Sequence, residues 1–248
     1  LAKGGNLAAF IGELYGKANG CSGGKGGSMH LIDLAVNFLG TAPIVASTLP
    51  IATGVAFGTQ QRGETNTTVA FFGEGATEEG AFHESINFAL LKKLPILYVC
   101  ENNLYSVYSH LEVRQPNPRT VKEMVAACGM ESFSGDGNKV EEVVTLTQKA
   151  MKHIRAGKGP ALVELTTYRW REHCGPNYDN DIGYRTVEEF ETWKKLCPLI
   201  QLAKKIDLSE ATLEAMTTQI NEEIEKALDD VDQSPFPKKE LLMEHIYA

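Results

Sequence analysis

Short apolar runs alternate with longer amphipathic ones along this chain, and the alternation predicts strands and helices in turn. "TTVAFFGEG" (67–75) is apolar over four residues and is stopped by Gly73 and Gly75, the pattern of a buried strand. "ATEEGAFHESINFALLKK" (76–93) then spaces Phe82, Ile86, Ala89 and Leu90 along one helix face. Acids fill its first turns, and Lys92 and Lys93 end it. "LPILYVCEN" (94–102) and "PALVELTTYRW" (160–170) read as two further buried strands. Between them, "TVKEMVAACG" and "VEEVVTLTQKAMKHIRAG" predict helices, the second ending at Gly157. From about 43, "PIVASTLPIATGVAFGTQQRG" is a small-residue helix suited to close packing. Beyond a polar loop (171–185), two or three helices run to the C-terminus. Strands alternating with helices indicate an α/β fold, a doubly wound parallel sheet carrying a C-terminal helical tail. The expected division is one α/β domain over 1–200 and a helical extension over 201–248.

Bulk composition narrows the function. With 248 residues, 43% hydrophobic and 23% charged, the chain can bury a full core as an ordinary globular protein. Its 24 basic and 32 acidic residues give a net charge of −8, which argues against nucleic acid or an anionic membrane as partner. No apolar run is long enough for a transmembrane helix, and "LAKGGNLAAFIGELYGK" lacks the layout of a secretory signal. Five scattered cysteines without metal spacing point to reduced thiols and a cytoplasmic location. The glycine load of "NGCSGGKGGSMH" suits a loop that comes close to a ligand or to another backbone.

Chemistry concentrates after the first strand. Ligands of a doubly wound sheet collect outside the carboxyl ends of its strands, where helix N-termini point outward. Gly73-Glu74-Gly75-Ala76 occupies such a place. Backbone N–H groups there suit a phosphate, yet Glu74 alone would repel one. A magnesium ion between the two removes the conflict, because it takes about six oxygens and combines one or two carboxylates with phosphate oxygens. The end of the next strand, "ENN" (101–103), is the natural source of more oxygen. From the acid between glycines alone, a strand, turn and helix start without a ligand stays open. "SGDGN" (134–138) is an internal control. Asn103 stands 29 positions after Glu74, whereas Leu165 stands 29 after Asp136. Asp136 is therefore read as turn and N-cap chemistry for a helix starting near 139.

A glycine–acid–glycine trio followed about thirty residues later by an asparagine pair resembles the thiamine diphosphate fingerprint. The wider text resembles the alpha subunit of the decarboxylating component of 2-oxo acid dehydrogenase complexes. The resemblance runs through "GKGGSMH" (24–30), "IVASTLPIATG" (44–54), "GATEEGAFHESINFALLKKLPILYVCENN" (75–103), "TYRWREH" (167–173) and "YRTVEE" (184–189), in the family's order over about 1–200. It implies a thiamine diphosphate-binding fold with magnesium held by the Glu74 carboxylate, the Asn103 side-chain oxygen and the Tyr105 carbonyl. Gly73, Gly75 and Ala76 fall in the diphosphate turn. Arg169 matches a diphosphate-binding arginine, whose fork suits that group better than a lysine would. Pro43 and Val45 match backbone that clasps the aminopyrimidine. His173 matches an active-site histidine, a side chain whose charge ordinarily changes near neutral pH.

The resemblance also implies partners. A beta subunit would supply the glutamate that activates the cofactor, in an α2β2 assembly, so the lone chain is expected to be inactive. A 2-oxo acid would be the substrate and a lipoyl-bearing acyltransferase the acceptor. Three departures stand out. Glutamate replaces the usual aspartate at 74. The loop "REHCGPNYDNDIGYR" puts Arg171 and Glu172 before His173 and lacks the usual His-Gly-His. Cys174 stands where many relatives carry a serine, some of them phosphorylated, so that switch is expected to be absent. A further diphosphate-binding segment of the family would precede Leu1. Alternatives are acetoin-type C–C cleavage with the same cofactor, a non-catalytic cofactor-binding subunit, and an NAD dehydrogenase. The last lacks its G-x-G-x-x-G opening.

Overall fold

The computed structural model describes residues 1–244, so the last four residues of the expected C-terminal extension lie outside the described residues. Strands in chain order are β1 (Thr68–Gly73), β2 (Ile96–Asn102), the short β3 (Tyr105–Ser106) and β4 (Ser109–His110), β5 (Glu131–Asp136) and β6 (Ala161–Thr166). Helices are α1 (Leu7–Leu14), α2 (Thr48–Gln61), α3 (Gly80–Lys92), α4 (Leu111–Arg114), α5 (Val121–Ala127), α6 (Val140–Arg155), α7 (Val187–Lys194), α8 (Pro198–Lys205) and α9 (Glu210–Asp232). Contacts group them into two compact units, 45–207 and a unit formed by 1–44 with 208–248. Residues 1–44 thus group with the segment that carries α9, while α7 and α8 group with the sheet.

In the larger unit the sheet order is β1-β2-β6-β5, and every neighbouring pair is parallel. One face packs Ala70, Phe72, Ile96, Tyr98, Cys100 and Leu162 against α2, α3 and α5. The opposite face packs Leu97, Val99, Ala161, Val163 and Leu165 against Ala150 and Ile154 of α6. Helices on both faces make the sheet doubly wound, as expected. β1 is the exception: Phe72 is buried, while Phe71 on its other face is 62% exposed. In the core the Thr53 and Tyr98 hydroxyls hydrogen-bond at 2.7 Å. Burial pushes the Tyr98 phenol up to about 12, with the Thr53 bond opposing the shift.

Several boundaries differ from expectation. The predicted helix 76–93 is broken, because Glu74–Glu78 forms a 3-10 turn and α3 begins only at Gly80. Glu79 between them is extended (φ −90°, ψ 143°), which no helix can pass through. Strand β5 lies within text read as a turn; it is a half-buried edge strand whose Gly135 and Asp136 mimic turn chemistry. Asp136 does make a turn, its Oδ1 accepting from the Asn138 N–H at 2.9 Å. It does not cap α6, whose N-cap Lys139 has no side-chain cap bond, because Asp136 lies three residues before that cap and its carboxylate is taken by the turn.

In the smaller unit, Ile11 of α1 packs on Ala227 and Val231 of α9. Asn6 caps α1 by accepting from the Ala9 N–H at 2.9 Å. The glycine-rich loop has an internal cause. Fully buried Glu13 accepts N–H bonds from Ser22, Gly24, Gly26 and Gly27. Gly24 meets this geometry at φ +76°, with the Gly16 backbone too close for any side chain. All five cysteines are free. Among the described residues no helix is long and apolar enough to cross a membrane.

Candidate functional site

Strands β1 and β2 run side by side with Gly73 paired to Glu101. Glu74 and the Asn102–Asn103 pair therefore leave the sheet at neighbouring points of its carboxyl edge, on strands about 4.8 Å apart. Glu74 opens the 3-10 turn and is only 1% exposed. Its Oε1 accepts from Arg114 Nη2 at 2.5 Å, and Arg114 Nη1 also pairs with Glu78. Buried Gln115 donates to Glu78 Oε1 at 2.9 Å and to Thr77 Oγ1 at 3.2 Å. The Thr77 hydroxyl in turn donates to the Glu74 carbonyl at 2.7 Å. Gly75 has no room for a side chain, since a Cβ there would lie 2.9 Å from Ser106 Oγ. The turn after β1 and the loop after β2 are thus pressed together at Gly75 and Ser106.

The two asparagines divide their labour. Asn102 is buried and structural: its Nδ2 donates to Glu164 Oε1 at 2.9 Å, and its Oδ1 accepts from the Leu104 N–H at 3.2 Å. Glu164 also accepts from the Lys122 N–H at 2.9 Å, which ties β6 to the start of α5. Asn103 is half-buried, and its Oδ1 accepts only a local bond, from the Tyr105 N–H at 3.1 Å. An amide oxygen has a second lone pair, so Asn103 keeps acceptor capacity. Leu104 (φ +71°) and Val107 (φ +55°) hold left-handed backbone, an uncommon and costly state for such side chains. Tyr105 packs on His110 and Tyr184, and its hydroxyl donates to Glu189 at 2.8 Å. Burial and then the Glu189 carboxylate push the Tyr105 phenol upward, so it stays protonated.

Beyond β6 the chain enters the loop that carries Arg169 and His173. Arg169 donates to the carbonyls of Arg171 (2.5 Å) and Val107 (2.9 Å) and to the Tyr184 hydroxyl (3.1 Å). Its Nε is buried without a partner. Asp179, also buried, pairs with fully buried Arg185, accepts from the Tyr184 hydroxyl at 2.6 Å and lies 3.6 Å from Arg169. Burial raises the Asp179 pKa, but Tyr184 and Arg185 outweigh it and hold the carboxyl below its usual range. Glu172 closes the tip of the loop by accepting from Asn177 N (3.2 Å) and Nδ2 (3.0 Å), while Arg171 lies over the Tyr178 ring. His173 sits on this tip, exposed, with Cys174 beside it.

Two features of the edge between β1 and β2 suit a metal-bound diphosphate. The buried Glu74 carboxylate is already held by a positive charge. The Gly75 turn leaves no space for a Cβ beside Ser106. Among the described residues no three His, Cys, Asp or Glu side chains gather as a metal cluster. A donor set of one carboxylate, one amide oxygen and one carbonyl would suit a cation whose other ligands are phosphate oxygens. Of the remaining expected residues, Val45 is exposed at the start of the larger unit, and Pro43 is exposed in the smaller one. The sequence reading missed Arg114, Gln115 and Glu164. Glu164 carried a signal, an acid inside the apolar run "ALVELT". Arg114 and Gln115 carried none.

The chain is similar to known proteins over nearly its whole length. A profile of the family described as "Dehydrogenase E1 component" matches residues 1–240. The pyruvate dehydrogenase E1 component subunit alpha of Rickettsia bellii is 35% identical over 242 residues, which are 96% of this chain and 73% of that relative. The chloroplastic pyruvate dehydrogenase E1 component subunit alpha-3 of Arabidopsis thaliana is 36% identical, over 100% of this chain and 59% of its own length. The corresponding subunit of Porphyra purpurea is 34% identical, over 100% and 74%.

Proposed function

The chain belongs to the dehydrogenase E1 component family, and we propose that it is the alpha subunit of a thiamine diphosphate-dependent 2-oxo acid dehydrogenase. It binds thiamine diphosphate with magnesium and acts together with a beta subunit. The observation that carries this reading is the pairing of β1 with β2. It sets Glu74 and Asn103 at adjacent strand ends, with the Gly75 turn pressed on Ser106.

Bound thiamine diphosphate supplies a carbon nucleophile and an electron sink for loss of carbon dioxide from a 2-oxo acid. The residues of this chain bind and orient. Glu74, the Asn103 amide oxygen and the Tyr105 carbonyl hold the magnesium ion. The N–H groups of Gly75 and Ala76 face the diphosphate; the first amides of a helical turn have no earlier carbonyl to bond. Gly73 shapes that turn. Arg169 adds charge on the diphosphate through its unpartnered donor. The backbone of Val45 contacts the aminopyrimidine. His173, presented on an exposed loop tip, exchanges protons with the substrate or holds its carboxylate. The beta subunit brings the glutamate that activates the cofactor, and a lipoyl-bearing acyltransferase takes the acyl group.

The test is decarboxylation by the purified chain with and without its beta subunit, using an artificial electron acceptor. Pyruvate comes first, because the relatives named above are pyruvate dehydrogenase subunits, followed by branched 2-oxo acids and acetoin. The expected result is activity of the pair on a 2-oxo acid and none from the chain alone. Turnover of acetoin alone would assign the chain to C–C cleavage of that type. A pair unable to bind thiamine diphosphate would assign it to a scaffold.

A further inference from the structure

Glu74 needs a positive partner, because a carboxylate removed from water is costly unless it is paired. Arg114 is that partner, 2.5 Å from Oε1 and itself only 11% exposed. We propose that Arg114 is a tethered counter-cation that opposes metal entry at Glu74, so that metal binding must push the guanidinium off this carboxylate. The inference rests on the reading of Glu74 as a metal ligand and adds to it a competitor built into the same chain.

The surroundings of Arg114 give it a second resting place. It shares its guanidinium between Glu74 and Glu78, and its Nε donates to the Ser109 carbonyl at 3.0 Å. Once a metal holds Glu74, the guanidinium can stay on Glu78. Guanidinium and a divalent ion cannot crowd one carboxylate without strong repulsion at this depth, where screening is weak. Arg114 also ends the segment that carries the other proposed ligands. Asn103 and Tyr105 open that segment, and the Leu111 N–H closes it on the Leu104 carbonyl at 2.7 Å. Gln115 anchors it to Thr77 and Glu78. Arg114 therefore sits on the same segment as Asn103 and Tyr105, and that segment is tied back to the Glu74 turn. Arg114 acts through Glu74 and is a positioning residue.

The experiment measures Mn2+ binding by the electron paramagnetic resonance of the free ion. It uses the full chain assembled with its beta subunit, in the presence of thiamine diphosphate. Arg114→Gln should bind Mn2+ about tenfold more tightly than the wild type, the scale of one lost charge-assisted contact. Arg114→Lys should stay near the wild type. Glu78→Gln, which leaves the guanidinium wholly on Glu74, should bind Mn2+ more weakly. Opposite directions for Arg114→Gln and Glu78→Gln separate competition from a merely structural role, which would weaken binding in both. Equal or weaker binding by Arg114→Gln, with wild-type binding intact, overturns the proposal alone. If no variant and no wild-type protein binds Mn2+, the metal-ligand reading of Glu74 falls as well.

Discussion

The backbone of Gly75 lies so close to Ser106 that a methyl group on it would sit 2.9 Å from the serine hydroxyl oxygen and 3.1 Å from its Cβ. Gly75→Ala should therefore destabilise the protein by about 1–3 kcal/mol, the usual cost of overpacking. Ser106→Gly should restore part of that loss in the double variant, since both single changes act on one contact. Urea unfolding of the four proteins in this cycle checks it, and additive effects would show that residue 75 and the Ser106 side chain do not share a contact.

Asp179 meets buried Arg185, the Tyr184 hydroxyl and Arg169 together. Asp179→Ala leaves the Arg185 guanidinium buried without its counter-charge, at a cost of about 3–5 kcal/mol. The loop 171–185 should then be cut by protease at concentrations that leave the wild type whole. Unchanged cleavage would mean that other contacts fix the loop.

Glu13 gives a pH prediction whose sign is fixed by its surroundings. Burial raises its pKa, but backbone N–H bonds from Ser22, Gly24, Gly26 and Gly27 win, and the folded value lies below the ordinary one. A depressed carboxyl pKa contributes stability that is present above the unfolded value, near 4.3, and is lost as pH falls through the folded value. Glu13→Gln should be less stable than the wild type by about 2–4 kcal/mol at pH 7, because a neutral amide cannot satisfy four donors. Below about pH 4 the gap should shrink as the wild-type carboxyl is protonated. Thermal melts of both proteins between pH 3 and pH 8, the span around the ordinary carboxyl value, measure it.

Legibility followed how local each signal was. Strands β1, β2 and β6 could be read because each carries a short apolar run, and the helix faces because their spacing is regular. β5 could not, since an edge strand with Gly135 and Asp136 looks like a turn. The pairing of α1 with α9 was hidden because its two halves stand at opposite ends of the chain. Within the candidate site, Glu74 and Asn103 were found by a fixed spacing between strand ends. Arg114 was not, since an ion pair across forty positions leaves no trace in either neighbourhood.

Most direct of all is a calorimetric titration of thiamine diphosphate into the chain assembled with its beta subunit, with and without magnesium, in the wild type and in Asn103→Ala. The expected result is binding that requires magnesium and weakens at least about tenfold when the Asn103 oxygen is removed. Binding that ignores both the metal and Asn103 would contradict it.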